Sequence, residues 1–207
     1  MKPISLSALA LATATLAAPF ATPAEAQVAS RDAAKVEAGA YAVEPDHTRI
    51  LFSVSHMGFT TYFGNFTGAS GSLTLDPKSA AASALDVSVP VDSVSTTNAK
   101  LDGELKSDAW FDAAKYPTIT FKSTKVTRAG ADTAKVNGDL TLHGVTKPVT
   151  LTVTFNGAGT NPLDKKYTAG FEATGKIKRS DFGVTKYVPL IGDSVDLTIS
   201  GAFEKQG

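Results

Sequence analysis

The chain predicts an all-β fold of about eight antiparallel strands and one short helix, closed as a barrel or stacked as a sandwich. Three observations carry this. Two-residue alternation recurs along most of the sequence, placing successive side chains on opposite faces of a strand. Thr, Val, Ile and Phe dominate the alternating runs and favour strand over helix. Only the stretch 98–108 changes to a helical spacing.

The clearest run is 136–155. Leu140 and Leu142 share one face, with Thr141 and His143 opposite; Val149, Leu151, Val153 and Phe155 share one face, with Thr150, Thr152 and Thr154 opposite. Gly144 permits a positive φ and Pro148 donates no amide proton, so 144–148 is expected to connect antiparallel strands 133–142 and 148–156.

Around this hairpin the other elements follow in order. Strand 47–56 turns Ile50, Phe52, Val54 and His56 to one apolar face. Residues 62–76 are expected as one long strand. Phe63, Leu73 and Leu75 share a parity there and Phe66 has the other, a conflict that a bulge at a glycine resolves. Strand 85–91 follows. Asn98 suits a helix N-cap, with Leu101 and Leu105 four apart behind it. Trp110, Phe111 and Tyr116 then crowd one loop, as a plug over a core or a gate over a cavity. Strands 118–127, 167–178 and 194–204 complete the set, with 179–193 as a long ordered loop or second cover. Eight such strands leave an interior that side chains fill or that stays open for one ligand.

Lys2, an apolar run from Ile4 to Ala18 and Ala24-Glu25-Ala26 make residues 1–26 a secretory signal peptide, cleaved before Gln27. The apolar run is shorter than the ~20 residues of a membrane span. No transmembrane segment is expected after its removal. Residues 27–40 lack periodicity and are expected to form a flexible leader to a domain over 41–205. The chain has 20 basic and 20 acidic residues. Cleavage removes one of each, Lys2 and Glu25, so the mature protein stays neutral and is not expected to bind nucleic acid. With no cysteine in the chain, disulfide and thiol chemistry do not arise.

Catalytic motifs are not evident. G-x-S-x-G, H-E-x-x-H and a phosphate-cradling glycine loop are all missing from the sequence, and nothing nucleophilic marks the Asp46-His47 couple. Hydrolase or isomerase is therefore the weakest reading. His47 and His56 have opposite parities on one strand, so neither a metal site nor a cofactor is expected.

Four segments resemble the YceI-like family: Asp46-His47-Thr48 with Ile50-x-Phe52-x-Val54-x-His56 and Gly64-x-Phe66; Ser107-x-x-x-Phe111-Asp112 with Tyr116-Pro117-x-Ile119-x-Phe121; Asp139 to Thr150; and Arg179-Ser180-Asp181-Phe182-Gly183. They span about 39–205 in order. Asn98 departs from the family, whose members often carry a His near that position. The resemblance implies a single eight-stranded lipocalin-like barrel in the periplasm that holds a long-chain isoprenoid, quinone or other lipid, and pairing of some members into homodimers. On that reading inward parity nominates Ile50, Phe52, Val54, Leu85, Val87, Ile119, Phe121, Phe171 and Ile177 as the wall, together with Phe66. His56, Trp110 and Arg179 join them near a mouth, where Arg179 and Asp181 either hold a head group or pin the loop. A secreted stress or interaction module with a filled barrel is the alternative, and in it the same residues are simply core.

Overall fold

The computed structural model describes residues 28–207; the expected signal peptide lies outside the described residues. The chain runs β1 (Gly39–His56), β2 (Thr60–Phe66), β3 (Ser70–Leu75), β4 (Ala84–Pro90), α1 (Ala99–Lys106), β5 (Thr118–Arg128), β6 (Thr133–Leu142), β7 (Val145–Thr160), β8 (Tyr167–Lys178) and β9 (Ile191–Lys205). All strands join one antiparallel sheet, and β1 pairs with β9 to close it.

The nine strand segments make eight staves. β1 is long enough to hold two partners on one edge. Its start pairs with β3, from Gly39↔Leu75 to Ala42↔Ser72, and its end pairs with β2, from Ile50↔Phe66 to His56↔Thr60. The expected single strand over 62–76 is thus split at 67–69, where Gly68 takes φ 66°. The break reconciles the parities: Phe66 and Leu73 are both buried, and Phe63 lies outside.

Three strands change inward parity at bulges. In β1 the register shifts between Glu44 and Arg49, so the inward set passes from Tyr41 and Val43 to Ile50, Phe52 and Val54. β5 shifts between Ser123 and Lys125, and β7 between Phe155 and Gly157. The first shift explains why β1 starts at Gly39 and not at 47. Glu44-Pro45-Asp46 breaks the alternation, and Pro45 falls within the unpaired stretch, where its missing amide proton costs no ladder bond.

The 136–155 hairpin is tighter than expected. Leu142 pairs with Val145, leaving a two-residue turn of His143 (φ 52°) and Gly144 (φ 73°), and Pro148 sits inside β7 opposite Asp139. Two positive φ values match the right-handed twist of the flanking strands. On the outer face the threonines bond one another and their neighbours, as in Thr141 Oγ1 to Thr146 Oγ1 at 2.8 Å and Thr150 Oγ1 donating to Asn137 Oδ1 at 2.7 Å.

Residues expected to form a flexible leader lie on the lower end, where β1 starts and β9 ends. Ser30 bridges to Ala158 of β7, a short turn covers Ala33–Lys35, and Val36 is buried with Tyr41, Phe155 and Phe203. Burial, reinforced by Tyr167 and Glu37, pushes the Tyr41 phenol up to about 12, so it stays protonated and donates to the Glu37 carbonyl at 2.6 Å.

Gly71 has φ 138°, and a Cβ there would run into the Asp86 carbonyl of β4. Gly71→Ala is expected to cost about 1–3 kcal/mol from backbone strain alone, read as a lower urea midpoint with an unchanged m-value.

Candidate functional site: an apolar cavity along the barrel axis

A cavity of about 570 Å³ runs through the barrel. This falls in the range of sites that enclose small molecules. Its middle is aliphatic and aromatic, and its charged groups stand near the ends. Glu104 and Arg179 are at the upper end, and Asp76, Arg128 and Asp132 at the lower.

Glycines keep the interior open. Phe52 pairs with Gly64, and its ring occupies the place a Gly64 Cβ would take. Phe121 lies in the same way over Gly138 of β6, and Leu151 over Gly175 of β8. Each large side chain thereby lies along the wall instead of crossing the axis. A barrel of eight strands otherwise has just enough room for its own side chains to fill it.

All the wall residues nominated from parity line this cavity: Ile50, Phe52, Val54 and Phe66 from β1 and β2, Leu85 and Val87 from β4, Ile119 and Phe121 from β5, and Phe171 and Ile177 from β8. His56, Trp110 and Arg179 line it as well. Sequence reasoning did not nominate Leu140, Leu142, Leu151, Val195, Leu197 and Ile199, although their parity was visible. Met57, Val184 and Tyr187 line it from turns, where no periodicity exists to reveal them.

The upper end is capped by α1 and two loops. Asn98 caps α1, accepting the amides of Lys100 and Leu101 at 3.1 and 3.2 Å. The helix thus puts that position to a structural use. Leu105 and Trp110 pack with Phe66, Ala69, Val89, Val94 and Val184. Glu104 holds the cap to the 183–190 loop, since its Oε1 accepts from Trp110 Nε1 and from Lys186 Nζ, both at 3.2 Å. Those two bonds, with the Lys186 charge, keep the Glu104 carboxyl below its ordinary range. Tyr116 meets His143 edge-on at 5.0 Å.

Arg179 is buried, with 6 % of its surface exposed, and its guanidinium belongs to the loop. Nε donates to Gly192 O at 2.9 Å, Nη1 to Val184 O at 2.8 Å and Nη2 to Ile191 O at 2.9 Å. Burial pulls its pKa below the ordinary value, against the nearby Asp193. These bonds pin the loop through backbone carbonyls and not through an ion pair with Asp181. Asp181 is exposed, and Asp193 instead accepts from Ser180 N at 2.9 Å and Ser180 Oγ at 2.8 Å. The Ser180 amide bond is the main reason the Asp193 carboxyl lies below its ordinary range.

The histidines are apart. His47 lies outside, its Nδ1 2.6 Å from Glu44 Oε2 and not on Asp46; His143 Nδ1 donates to Phe182 O at 3.1 Å; only His56 lines the cavity. Among the described residues no cluster has the His, Cys, Asp or Glu set of a metal site. No described helix is long and apolar enough to cross a membrane.

The fold and site define a closed antiparallel barrel built around an apolar cavity. Residues 41–203 match the YceI-like domain model, and the chain belongs to the YceI-like family. Protein YceI of Escherichia coli O17:K52:H18 is 41% identical over 157 residues, 76% of this chain and 81% of that protein. The crystal structure of Burkholderia cenocepacia BcnA superimposes with TM-score 0.70 at 26% identity, covering 77% of this chain and 98% of that one. A polyisoprenoid-binding domain from Saccharophagus degradans, implicated in plant cell wall breakdown, shares the fold with TM-score 0.61 at 16% identity, over 82% of this chain and 100% of that domain.

Replacing Arg179 by Lys leaves one ammonium for three carbonyls. A loss on the order of 2–3 kcal/mol is expected from the unpaired groups, measured by urea unfolding. Asp193 ionises more readily folded than unfolded, so its stabilisation is complete above the unfolded-state pKa and lost as pH falls through the folded one. Asp193→Asn should therefore lower the midpoint at neutral pH and flatten its decline in acid.

Proposed function

We propose that the protein is a periplasmic carrier that holds the tail of a long-chain isoprenoid, quinone or related lipid in the barrel cavity. Residues 1–26 direct export and are removed before Gln27 on this reading. The observation that carries it is the glycine-backed wall, which leaves an axial space lined by apolar groups. A tail placed there leaves water along its length. Each buried CH₂ contributes ~0.8 kcal/mol, so ten carbons give about 8 kcal/mol before the cost of ordering the chain. Such a site needs no polar motif in its middle. On this reading a head group lies at the upper end, where His56 meets it. Family membership and the polyisoprenoid-binding domain of the same fold support the choice of ligand class.

The protein acts on this reading by sheltering its ligand, not by transforming it. Two carboxylates are already engaged away from the cavity: Glu44 with His47 and two backbone amides, and Asp193 with Ser180.

Native mass spectrometry of protein purified from its own host is expected to show added mass that organic solvent removes. A bare mass in repeated preparations would instead favour the filled-barrel alternative. Gly64→Ala should push the Phe52 ring off the wall and into the lumen, lowering lipid occupancy several-fold while the circular dichroism spectrum stays that of the parent. Unchanged occupancy in the folded variant would show that this ring does not border the tail.

A further inference from the structure

From Ile50 to Leu75 the sequence contains no Asp, Glu, Lys or Arg, in a chain where these make up 19% of residues. This stretch is the end of β1, all of β2 and β3, and the turn between β1 and β2 at the upper end of the barrel. Large apolar side chains stand in solvent there. Phe59 at the turn is 84% exposed, and Met57 beside it is about half exposed. Leu190, 61% exposed, and Tyr187 stand on the adjoining loop. The two segments are joined: the Met57 amide donates to Leu190 O at 2.8 Å.

We infer that this tip docks the protein on a lipid bilayer, by inserting Phe59 and Leu190 among the acyl chains. Three features favour a bilayer over a protein partner. The tip is convex. Phe59 lies beyond the last pair of the ladder, His56↔Thr60, so a strand added alongside β2 would not cover it. Three of its amides are already bonded to backbone carbonyls, which lowers the cost of entering a water-free phase. Besides the Met57 bond, the Phe59 amide donates to His56 O at 3.0 Å and the Ile191 amide to Tyr187 O at 2.8 Å. Lastly, the tip is continuous with the cavity. Met57 and Tyr187 are exposed on the outside and also line the interior. A tail passing between bilayer and barrel would therefore cross apolar side chains throughout. This last point rests on the carrier reading; the first two do not.

The test is flotation of the full mature chain with vesicles of equal parts phosphatidylcholine and phosphatidylglycerol. The wild type is expected to float with them. Because the 50–75 stretch lacks charge and Lys186, beside Tyr187, is paired with Glu104, added salt should change the bound fraction little. Phe59→Asp combined with Leu190→Ser is expected to lower the bound fraction about tenfold, the scale set by burying one such side chain. Leu163→Ser provides the control, since Leu163 is 89% exposed at the opposite end and its loss should change nothing. Uptake of the apolar probe phenylnaphthylamine without vesicles reads the cavity separately. Neither Phe59 nor Leu190 lines it, so the double variant should fill normally. Wild type that takes up the probe but stays with the soluble fraction overturns the docking and spares the carrier reading. Vesicle binding without probe uptake supports the docking and counts against the carrier. A dimer in sedimentation that the double variant dissociates, with no vesicle binding, assigns the patch to a second copy and overturns the inference.

Discussion

Closure of the sheet by the β1–β9 ladder is the constraint on which the rest of the structure depends. It runs from Tyr41↔Lys205 to His56↔Ile191. An open sheet of this size would expose two rows of unpaired amides and carbonyls and leave the inner face wet. Closing it satisfies those groups and gives the inner face a single side, which can then be apolar throughout. β1 makes the closure possible. It is long enough to pair with β9 along one edge and to hold β2 and β3 in series along the other.

A closed barrel of eight staves is not automatically hollow. Its lumen is only as wide as its side chains allow, so the inner glycines matter as much as the inner hydrophobes. Gly64, Gly138 and Gly175 each accept a neighbour's side chain against the backbone. Buried clusters form at both ends. Tyr41, Phe155, Ala169 and Phe203 fill one, and Phe66, Leu105, Trp110 and Val184 the other. A third cluster, with Leu140, Leu151, Ala173 and Phe182, runs down the wall formed by β6, β7 and β8.

Arg179 brings a buried cation to the cavity but gives its hydrogen bonds to three loop carbonyls. Its ring contact is with Trp110, 5.4 Å from the guanidinium carbon, which ties the loop to the helical cap. The cap is consequently a single unit of α1, the aromatic loop and the 179–190 segment. Rearranging any part of it would break bonds in the other two.

Much of this could be read from the residues. Ile50, Phe52, Val54, Ile119, Phe121, Phe171 and Ile177 declared the inner face because side-chain direction along a strand has a fixed period, and Asn98 declared the start of α1 because a helix leaves its first amides unpaired. The sequence alone therefore settled the class of fold, the helix and the part of the wall on β1, β2, β4, β5 and β8. Only the tertiary structure decided where the period slips. The bulges in β1, β5 and β7 and the break before β3 depend on the partner strand, which local sequence does not specify. It also decided that the barrel is hollow. Whether Phe52 crosses the axis or lies flat depends on the glycine opposite, and Gly64 becomes its neighbour only when β2 folds back onto β1.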